Sequence, residues 1–476
     1  MLQRFFGPGI HSRIHSFVLG LFLVGMVCSK FLMSMGLLLG TLNLLLEADF
    51  KNYFRRLSEN RLLLFLLLFY GFFWLGLFWT QDLSAGFDLI RKQTSLLLIP
   101  LIIGLHAIPS KRSTKSLITL FLATLVLSSA INEVVYHFFP SAFHLIDIRD
   151  MSLFGSHIRY GILIGFGLGF CIERIRLHWI YGVLSLWFLY YTFDSQVLSG
   201  LITVAIVLFG TLFLWAYKRR QLVAFAGLIS LLLFLVVGIG FYLAKPIHYR
   251  EVCKPQTHEL LAAWNKRSAL KAPGLDMRQQ QLQQTLERYL MSKSGCLNAQ
   301  AVQQLSPDEI SAIEHGVADV HEGNGGLVAR LFGLRYQLHQ ATNPSDHSLL
   351  ERLEYWRTAA ALISKNWFIG VGTGDLDAEM QQQYRSEKSL LRLDRRLRPH
   401  NYYLTTWLTF GVFGFLLLVL LLVQFIRKQW IEQQWMGLLI GLTFCCTFFI
   451  EDSLETQMGI TIFAFFYAFY SRRVQR

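Results

Sequence analysis

The sequence predicts an all-α polytopic membrane protein with about twelve transmembrane helices and one large helical loop domain. The 476-residue chain is 53% hydrophobic with a mean hydropathy of +0.41, which is too apolar for an ordinary soluble domain. Apolar runs long enough to cross a hydrocarbon layer of ~30 Å recur along it, as at residues 62–79, 200–217 and 222–244. Because lipid offers backbone groups no hydrogen-bonding partner, these runs must be helices.

The spans divide the chain into an N-terminal bundle of about nine (1–244), a loop domain (245–400) and a C-terminal group of about three (401–476). The N-terminus is not interpreted as a cleaved signal, because it lacks a small-residue cleavage pattern and further spans follow at once. The first two spans are short and are also compatible with one broken helix. The spans are centred in residues 16–28, 31–46, 62–79, 94–108, 116–139, 158–173, 178–193, 197–217, 221–244, 402–426, 435–450 and 457–470.

Lysine and arginine predict the orientation of the spans, because cytoplasmic loops retain positive charge. One side of the predicted topology collects 19 basic residues, whereas the short loops of the other side hold five. Both termini are therefore placed in the cytoplasm, and residues 245–400 outside it. The net charge of +13 is then a topology signal, and no nucleic-acid partner is expected.

The large polar region is expected to fold as packed helices. Leucines recur at helical spacing over residues 282–290. The segment Ser306–Glu309 has the form of a capping box with proline at the first helical position, which predicts a helix start. A further helix is predicted from about Ser348 to the glycines of residues 369–376.

Two of the six cysteines, Cys253 and Cys296, lie in this region. An oxidising compartment allows them to pair, and a disulfide and two free thiols are both open at this stage. The other four cysteines lie in apolar spans, where packing is their expected role.

Ionisable side chains are scarce in the middles of the spans and crowd at their outer ends. An ion-coupled transporter normally keeps such groups near the bilayer midplane, so the pattern disfavours transport. It indicates a site at the outer membrane–water boundary instead. The crowded polar residues are Glu133, His137, Arg149, His157, Arg159, Asp194, Gln196, His400, Asn401, Glu451, Asp452 and Glu455.

The stretch RLRPHNYYL (396–404) contains His400, the leading candidate for a catalytic residue. Pro399 fixes the backbone before it, and Asn401 adds a hydrogen-bonding side chain. Arg398 and other nearby arginines place positive charge around the imidazole, which predicts a neutral ring that can act as a general base. Taken alone, such a histidine is more often an interfacial residue satisfied by water.

In the stretch ERLEYWRTA (351–359), Arg352 and Trp356 lie one helical turn apart and share a face, while Arg357 points elsewhere. The forked donors of arginine suit a diphosphate, and the indole can stack on a sugar or a guanidinium. A packed amphipathic helix is the commoner meaning of this pattern. The nearby turn GVGTGD (370–375) lacks the ending of a nucleotide P-loop.

A third candidate is GSHIR (155–159), which opens a span and contains His157 and Arg159. Arg159 lies on the side of the predicted topology where positive charge is scarce, so a fixed anionic partner is a reasonable hypothesis. The alternative is an arginine that only snorkels to the interface.

These three elements, in this order and with this topology, resemble the O-antigen ligase and polymerase family of bacterial envelope glycosyltransferases. Its members carry an Arg-x-x-x-Trp-x-x-Ala helix, a Gly-x-Gly-x-Gly turn, and a His-Asn-x-Tyr-Leu stretch that opens a span. One bacterial branch adds Ser-His-Ile-Arg and Leu-Glu-Thr-Gln-x-Gly. The matching residues are Arg352, Trp356 and Ala359, then Gly370, Gly372 and Gly374, then His400, Asn401, Tyr403 and Leu404, with 156–159 and 454–459 for the branch.

The resemblance covers residues 60–470 and is strongest over 345–460. Many members open the span placed here at 197–217 with a Ser-Arg pair, whereas this chain has Gln196 and no arginine. If that arginine normally holds a phosphate, we expect Arg159 to replace it here.

The resemblance implies a GT-C-like, metal-independent transferase without a cofactor, acting at the periplasmic face of the inner membrane of a Gram-negative bacterium. The implied reaction moves a glycan from undecaprenyl diphosphate to lipid A-core oligosaccharide, so the expected partners are these two substrates and membrane lipid. The sequence has no paired-carboxylate signature near an outer loop, and this absence argues against the use of a metal.

In the implied inverting displacement, His400 is the general base, and Arg352 and Arg159 bind the diphosphate. Three acidic residues, Glu451, Asp452 and Glu455, either orient His400, contact sugar hydroxyls or are solvated loop charges. The supporting residues are Asn401, Tyr403, Trp356, Arg357, Arg398, His157, Glu451 and Glu455.

Three alternatives remain open. A polymerase, which extends the lipid-linked glycan, uses the same donor chemistry and is poorly separated from a ligase by sequence. A protein O-oligosaccharyltransferase is the next. A lipid-linked oligosaccharide transporter is disfavoured by the empty midplane and by the large outer region.

Overall fold

A computed structural model describes residues 8–106, 110–145, 148–247, 256–320, 327–339 and 343–472. Within these ranges the chain is all-helical, without β-strands and with one isolated bridge between Leu275 and Gln281. The α-helices are α1 (Pro8–Cys28), α2 (Lys30–Glu47), α3 (Phe50–Glu59), α4 (Arg61–Leu75), α5 (Leu83–Leu105), α6 (Lys111–Phe138), α7 (His157–Arg174), α8 (Ile180–Ser195), α9 (Leu198–Lys218), α10 (Leu222–Ala244), α11 (Thr257–Arg267), α12 (Leu282–Lys293), α13 (Ala299–Gln303), α14 (Pro307–Glu314), α15 (Leu327–His339), α16 (Ser348–Asn366), α17 (Leu376–Ser386), α18 (Tyr402–Ile431), α19 (Trp435–Ile450) and α20 (Gln457–Tyr470).

Each of the twelve predicted spans is centred on one of these helices. By length and composition, seven helices in the described ranges are able to cross a membrane: α1, α2, α4 with the turn after it, α6, α9, α10 and α18. Two shorter apolar helices, α19 and α20, follow at the C-terminal end. The protein is therefore a polytopic helical membrane protein, and the number of twelve spans stays a prediction.

Two helices depart from the predicted pattern. Helix α5 begins at Leu83, well before its apolar run, because the carboxylate of Asp82 accepts a hydrogen bond from the backbone N–H of Ala85 and caps the helix. The amphipathic helix α3 lies between two predicted spans. Its buried Tyr53 donates to the Glu47 carboxylate at 2.7 Å, which ties α3 to the end of α2.

Helix α7 is deeply buried in the bundle, with every residue from Tyr160 to Cys171 buried. Glycines allow its neighbours to come close. A Cβ at Gly161 would lie 3.1 Å from the Cα of Gly200 on α9, and a Cβ at Gly165 would lie 2.4 Å from a Thr203 methyl carbon. Small residues at such crossings are typical of helix packing inside membranes.

The predicted helices of the large polar region are confirmed. Helix α12 covers the leucine-rich segment that begins at Leu282. At the start of α14, the Ser306 hydroxyl accepts from the Glu309 N–H, and the Glu309 carboxylate accepts from the Ser306 N–H, with Pro307 in the first turn. Helix α16 begins at Ser348 and ends before the glycine-rich turn, as predicted.

Two of the smaller hydrophobic cores include helices of the polar region. One belongs to α11 to α15, where Trp264 and Leu286 are fully buried. The other joins α16 and α17 to the first turns of α18 through Tyr355, Tyr384 and Leu408. The second core therefore packs the end of the polar region directly on the bundle. The domain boundaries at 244 and 400 stay predictions.

The cysteines fall into two groups. Cys296 is disulfide-bonded. Its predicted partner, Cys253, lies outside the described residues, so the pairing of these two cysteines stays a prediction. The cysteines of the apolar helices, Cys28, Cys171, Cys445 and Cys446, are free.

Helix α18 is broken at Gly411, whose φ of +66° is left-handed. At the break, the carbonyls of Leu408 and Thr409 accept hydrogen bonds from the N–H groups of Val371 (2.7 Å) and Gly372 (3.0 Å). A segment outside the helix thus supplies donors to carbonyls at the break. Polar backbone groups inside the bundle are satisfied in this way.

The glycines of the GVGTGD turn are required by close approach to α5 and the turn before it. Gly372 has a φ of +99°, and a Cβ there would lie 2.5 Å from the Thr80 hydroxyl. A Cβ at Gly374 would lie 2.1 Å from the carbonyl oxygen of Asp82. The Asp375 carboxylate accepts from the Asp82 N–H at 2.8 Å. The turn is therefore a backbone joint between the polar region and the bundle.

Substituting Gly411 with alanine tests the close approach between the break in α18 and the chain that follows α16. A Cβ at Gly411 would lie 2.0 Å from the Phe368 carbonyl oxygen, and the left-handed φ adds strain of roughly 1–3 kcal/mol. We expect a clearly lower melting temperature for the purified Gly411→Ala protein in detergent. The control is Gly227→Ala in α10, where a Cβ meets no heavy atom within 4 Å. Equal melting temperatures for the two variants would show that this close approach does not require glycine at residue 411.

Candidate active site

Four segments meet at one end of the bundle: the start of α7, helix α16, the loop before α18, and the loop between α19 and α20. They contribute Arg159, Arg352, His400 and Glu451, respectively. The Arg352 Nη2 lies 2.9 Å from the Glu451 Oε1, and the His400 Nδ1 lies 3.5 Å from the Glu451 Oε2. The two motifs that were distant in sequence therefore meet on one carboxylate.

His400 has a left-handed backbone, with a φ of +48°, which is uncommon for a residue with a side chain. Its neighbours on α16 hold this conformation. The Trp356 Nε1 donates to the Pro399 carbonyl at 2.9 Å. The Tyr355 ring packs beside the imidazole, with ring centroids 5.8 Å apart. The tryptophan of the motif thus positions the loop that carries His400.

Glu451 makes the imidazole of His400 more basic. Its contact with His400 raises the pKa of the histidine, although burial opposes the change. Burial acts to raise the pKa of Glu451, but the contact with His400 and the charges of Arg352 and Arg159 outweigh it, so the pKa of Glu451 is lowered. A carboxylate is therefore fixed beside an imidazole that is more basic than a free histidine.

The prediction that arginines close in sequence keep the imidazole of His400 neutral is wrong. Arg398 donates to the Asp377 carboxylate at 2.7 Å and also contacts Glu455. Arg395 lies 2.6 Å from the Asp346 carboxylate. Because these carboxylates balance the arginines that are close in sequence, the arginines do not dominate the field at the imidazole. Glu451, the acid that faces the imidazole, raises the pKa of His400 instead.

Arg352 and Arg159 both have donors left for an anion. Among the described residues, Arg352 donates to Glu451 through one nitrogen of a group with five N–H donors. Arg159 donates to the Ser156 hydroxyl at 3.0 Å, and its buried Nε has no partner in the described part of the chain. Gly459 permits this position, since a Cβ there would lie 3.3 Å from that Nε.

The acidic loop between α19 and α20 is not a set of solvated charges. Glu451 and Asp452 are 9% and 4% exposed. The Thr405 hydroxyl donates to one oxygen of Asp452 at 2.6 Å, and the other oxygen is buried without a partner among the described residues. Burial and the negative charge of Glu455 raise the pKa of Asp452 to about 7. These contacts are compatible with the hypothesis that Glu451 orients His400.

Three of the predicted supporting residues contact other parts of the fold. Asn401 caps α18, because its side-chain oxygen accepts from the Tyr403 N–H at 3.1 Å. The Tyr403 hydroxyl donates to the Cys445 carbonyl at 3.1 Å. Arg357 turns away from Arg352, as predicted, and lies 3.2 Å from Glu354. None of these three side chains contacts His400 among the described residues.

His157 is not brought to His400 in the described structure. It lines a small cavity with Tyr191 and Ser195, at the ends of α7 and α8. Gln196, which stands where the family resemblance predicts an arginine, follows α8 with a left-handed φ of +52°. The cavity lies between the start of α7 and the end of α8.

Sequence reasoning missed Tyr355 and the acids Asp346 and Asp377. Tyr355 is adjacent to a motif residue on the same helix, so its position was a usable signal. Asp377 and Arg398 are 21 residues apart across a loop, and no spacing rule connects such a pair.

Residues 182–419 match a family model described as O-antigen ligase, and this range is half of the chain. The chain belongs to the O-antigen ligase family. No curated protein sequence matches it. The matched half includes Arg352 and His400, whereas Arg159 and Glu451 lie outside it. Membership in the O-antigen ligase family implies a glycosyltransferase-like enzyme and, in general terms, lipid-linked glycan and lipid A-core substrates.

Substituting Glu451 with glutamine tests the control of the imidazole charge. Diethyl pyrocarbonate modifies the neutral imidazole, so the pH dependence of His400 modification, read by mass spectrometry, follows its pKa. Loss of the carboxylate removes a stabiliser of the protonated ring, so we expect the modification curve to move to lower pH in Glu451→Gln.

The exposed His315, at the end of α14, is the reference within the same sample. Its curve should be the same in both proteins. A His400 curve that does not move, or that moves to higher pH, would show that Glu451 does not raise the pKa of His400.

Proposed function

We propose that this protein is an O-antigen ligase that transfers a glycan from undecaprenyl diphosphate to lipid A-core oligosaccharide. The proposal places it in the inner membrane of a Gram-negative bacterium, with both termini in the cytoplasm and the site on the periplasmic side. The observation that carries it is the contact of Arg352 and His400 with opposite oxygens of Glu451, in a chain of the ligase family.

His400 is the proposed general base. Its Nδ1 faces Glu451, and its Nε2 has no hydrogen-bonding partner among the described residues. Glu451 keeps the proton on Nδ1, so Nε2 accepts the proton of the acceptor hydroxyl as that oxygen attacks the anomeric carbon. A carboxylate that orients a histidine and stabilises its protonated form is a recurrent arrangement in acyl-transfer catalysis. Proton transfer of this kind contributes about 10²- to 10⁴-fold to the rate.

Arg352 and Arg159 are the proposed ligands of the diphosphate. Negative charge accumulates on the diphosphate as the bond from the anomeric carbon to its oxygen breaks. Guanidinium groups held beside it stabilise that charge without rearranging. The remaining donors of Arg352 and the unpaired Nε of Arg159 are suited to this role.

A single displacement is proposed, with inversion at the anomeric carbon. The acceptor oxygen forms the new bond, the diphosphate leaves, and the proton passes to His400. A covalent intermediate on Glu451 is not part of the proposal, because one oxygen of this carboxylate contacts Arg352 and the other faces His400. The buried Asp452 is also poorly placed for attack, since Thr405 occupies one of its oxygens.

A polymerase is the second candidate. The contacts described above concern the base and the donor diphosphate, and both reactions use them in the same way. The difference lies in the acceptor, which is a lipid A-core sugar for a ligase and a lipid-linked repeat unit for a polymerase.

Replacing His400 with alanine tests the proposed base and separates these two activities. In a strain that depends on the His400→Ala protein, we expect ligation to fall by roughly 10²-fold or more. Lipopolysaccharide gels should then show lipid A-core without polymer. A single retained repeat unit would instead identify a polymerase, and normal long-chain lipopolysaccharide would exclude His400 as the base. The His315→Ala protein, expressed to the same level in the membrane, is the control.

Arg352→Lys tests the diphosphate assignment. Lysine keeps the charge but cannot make a forked contact, and it reaches Glu451 differently. Because hydrogen bonds to charged groups are worth about 1.5–3 kcal/mol, we expect transfer by purified protein to fall roughly 10- to 100-fold. The matched control is Arg385→Lys on α17, an exposed residue. Equal activity of the two variants would remove Arg352 from the donor site.

A further inference from the structure

A cluster of potential metal ligands, separate from the proposed active site, lies where α6 and α8 end. Glu133 and His137 are one turn apart on α6, and Asp194 is near the last residue of α8. The His137 Nε2 lies 2.9 Å from the Asp194 Oδ2 and 3.3 Å from the Glu133 Oε2. All three ligand atoms lie within 4.8 Å of one another. None of these residues takes part in the proposed transfer.

Glu133 is incompletely satisfied in this cluster. It is 7% exposed, and its Oε1 is buried without a hydrogen-bonding partner among the described residues. Its other oxygen is shared between His137 and the Tyr190 hydroxyl, which donates at 3.4 Å. An ionised carboxylate in such a position needs a cation or a further donor.

The charges of the cluster also call for a cation. In the described part of the chain, neither Glu133 nor Asp194 forms an ion pair with lysine or arginine. Both α6 and α8 end at the cluster, and the C-terminal end of a helix carries partial negative charge. Two carboxylates and two helix ends therefore surround one imidazole.

We propose that Glu133, His137 and Asp194 bind a Zn²⁺ ion that joins α6 to α8. Zinc accepts one imidazole with carboxylate oxygens, whereas calcium and magnesium prefer sets made of oxygen alone. Ligand atoms bound to a tetrahedral zinc at ~2.0 Å are separated by about 3.3 Å, close to the two distances seen here. Two of the three ligand separations therefore already fit such a site, and the third is no more than 4.8 Å.

Neighbouring contacts fix the two helices in this register. Directly before Glu133 in the chain, the Asn132 side chain donates to the Tyr191 hydroxyl at 3.0 Å. A second bridge is made by the Trp187 Nε1, which donates to the Ser129 hydroxyl at 2.8 Å. The side chains that would hold zinc thus project from helices that are held together independently of the ion.

The ion would keep one open position. Three protein ligands leave a fourth position for water in a tetrahedral site. The His137 side chain is 43% exposed, so the cluster is accessible from solvent. The proposed effect of zinc is to stabilise the junction of α6 and α8, and it does not depend on the proposed function.

Zinc binding by the full-length protein tests the proposal. Protein purified in detergent with a tag free of histidine is treated with chelator, dialysed against Zn²⁺ and analysed by mass spectrometry for metal content. We expect about one tightly held Zn²⁺ per chain and a rise in melting temperature on adding Zn²⁺. An unmodified protein that retains no zinc would overturn the proposal.

Two variants separate a metal site from a hydrogen-bonded cluster. Asp194→Asn keeps an oxygen that accepts from His137, but an amide oxygen is a poor zinc ligand. His137→Ala removes the only nitrogen ligand. We expect both variants to lose the bound zinc and the zinc-dependent rise in melting temperature, with elution on size exclusion unchanged.

The control is His258→Ala, an exposed histidine on α11. It should keep the zinc content of the unmodified protein. Equal zinc content in Asp194→Asn, His137→Ala and His258→Ala would place the bound zinc elsewhere and overturn the assignment.

Discussion

The carboxylate of Glu451 is the contact on which the site depends. A buried carboxylate is stable only with close partners, and Glu451 has a guanidinium at one oxygen and an imidazole at the other. Removing Arg352 or His400 would leave the buried carboxylate with one partner fewer. The same contacts set the basicity of His400 and hold Arg352 toward the loop. The position of Arg352 and the basicity of His400 therefore depend on the same residue, which lies in the loop between α19 and α20.

This arrangement requires a rigid support, because His400 has a left-handed backbone that an isolated peptide would avoid. The support comes from α16, where one side chain binds the Pro399 carbonyl and the next packs on the imidazole. Helix α16 is fixed in turn by the core that it shares with α17 and α18, and by the glycine joint that follows it. Local strain at the site is thus balanced by packing around it.

Most of the fold followed from properties that are local in sequence. Apolar runs located the spans, and the capping box at Ser306 located a helix start. The motifs identified Arg352 and His400, which the structure brings to one carboxylate. The direction of the pKa shift of His400 was predicted wrongly, because arginines near in sequence were counted without the acids that bind them. Asp346 and Asp377 reach those arginines through the tertiary fold, and one sequence contains no signal for such contacts.

The break at Gly411 is the point where the chain that leaves α16 attaches to α18. Before the break, the Leu408 and Thr409 carbonyls accept from the N–H groups of Val371 and Gly372, and after it the Val412 N–H donates to the Trp367 carbonyl. The break thus links the helix that carries Arg352 to the helix that begins two residues after His400, so a glycine within α18 helps to hold the two motifs side by side.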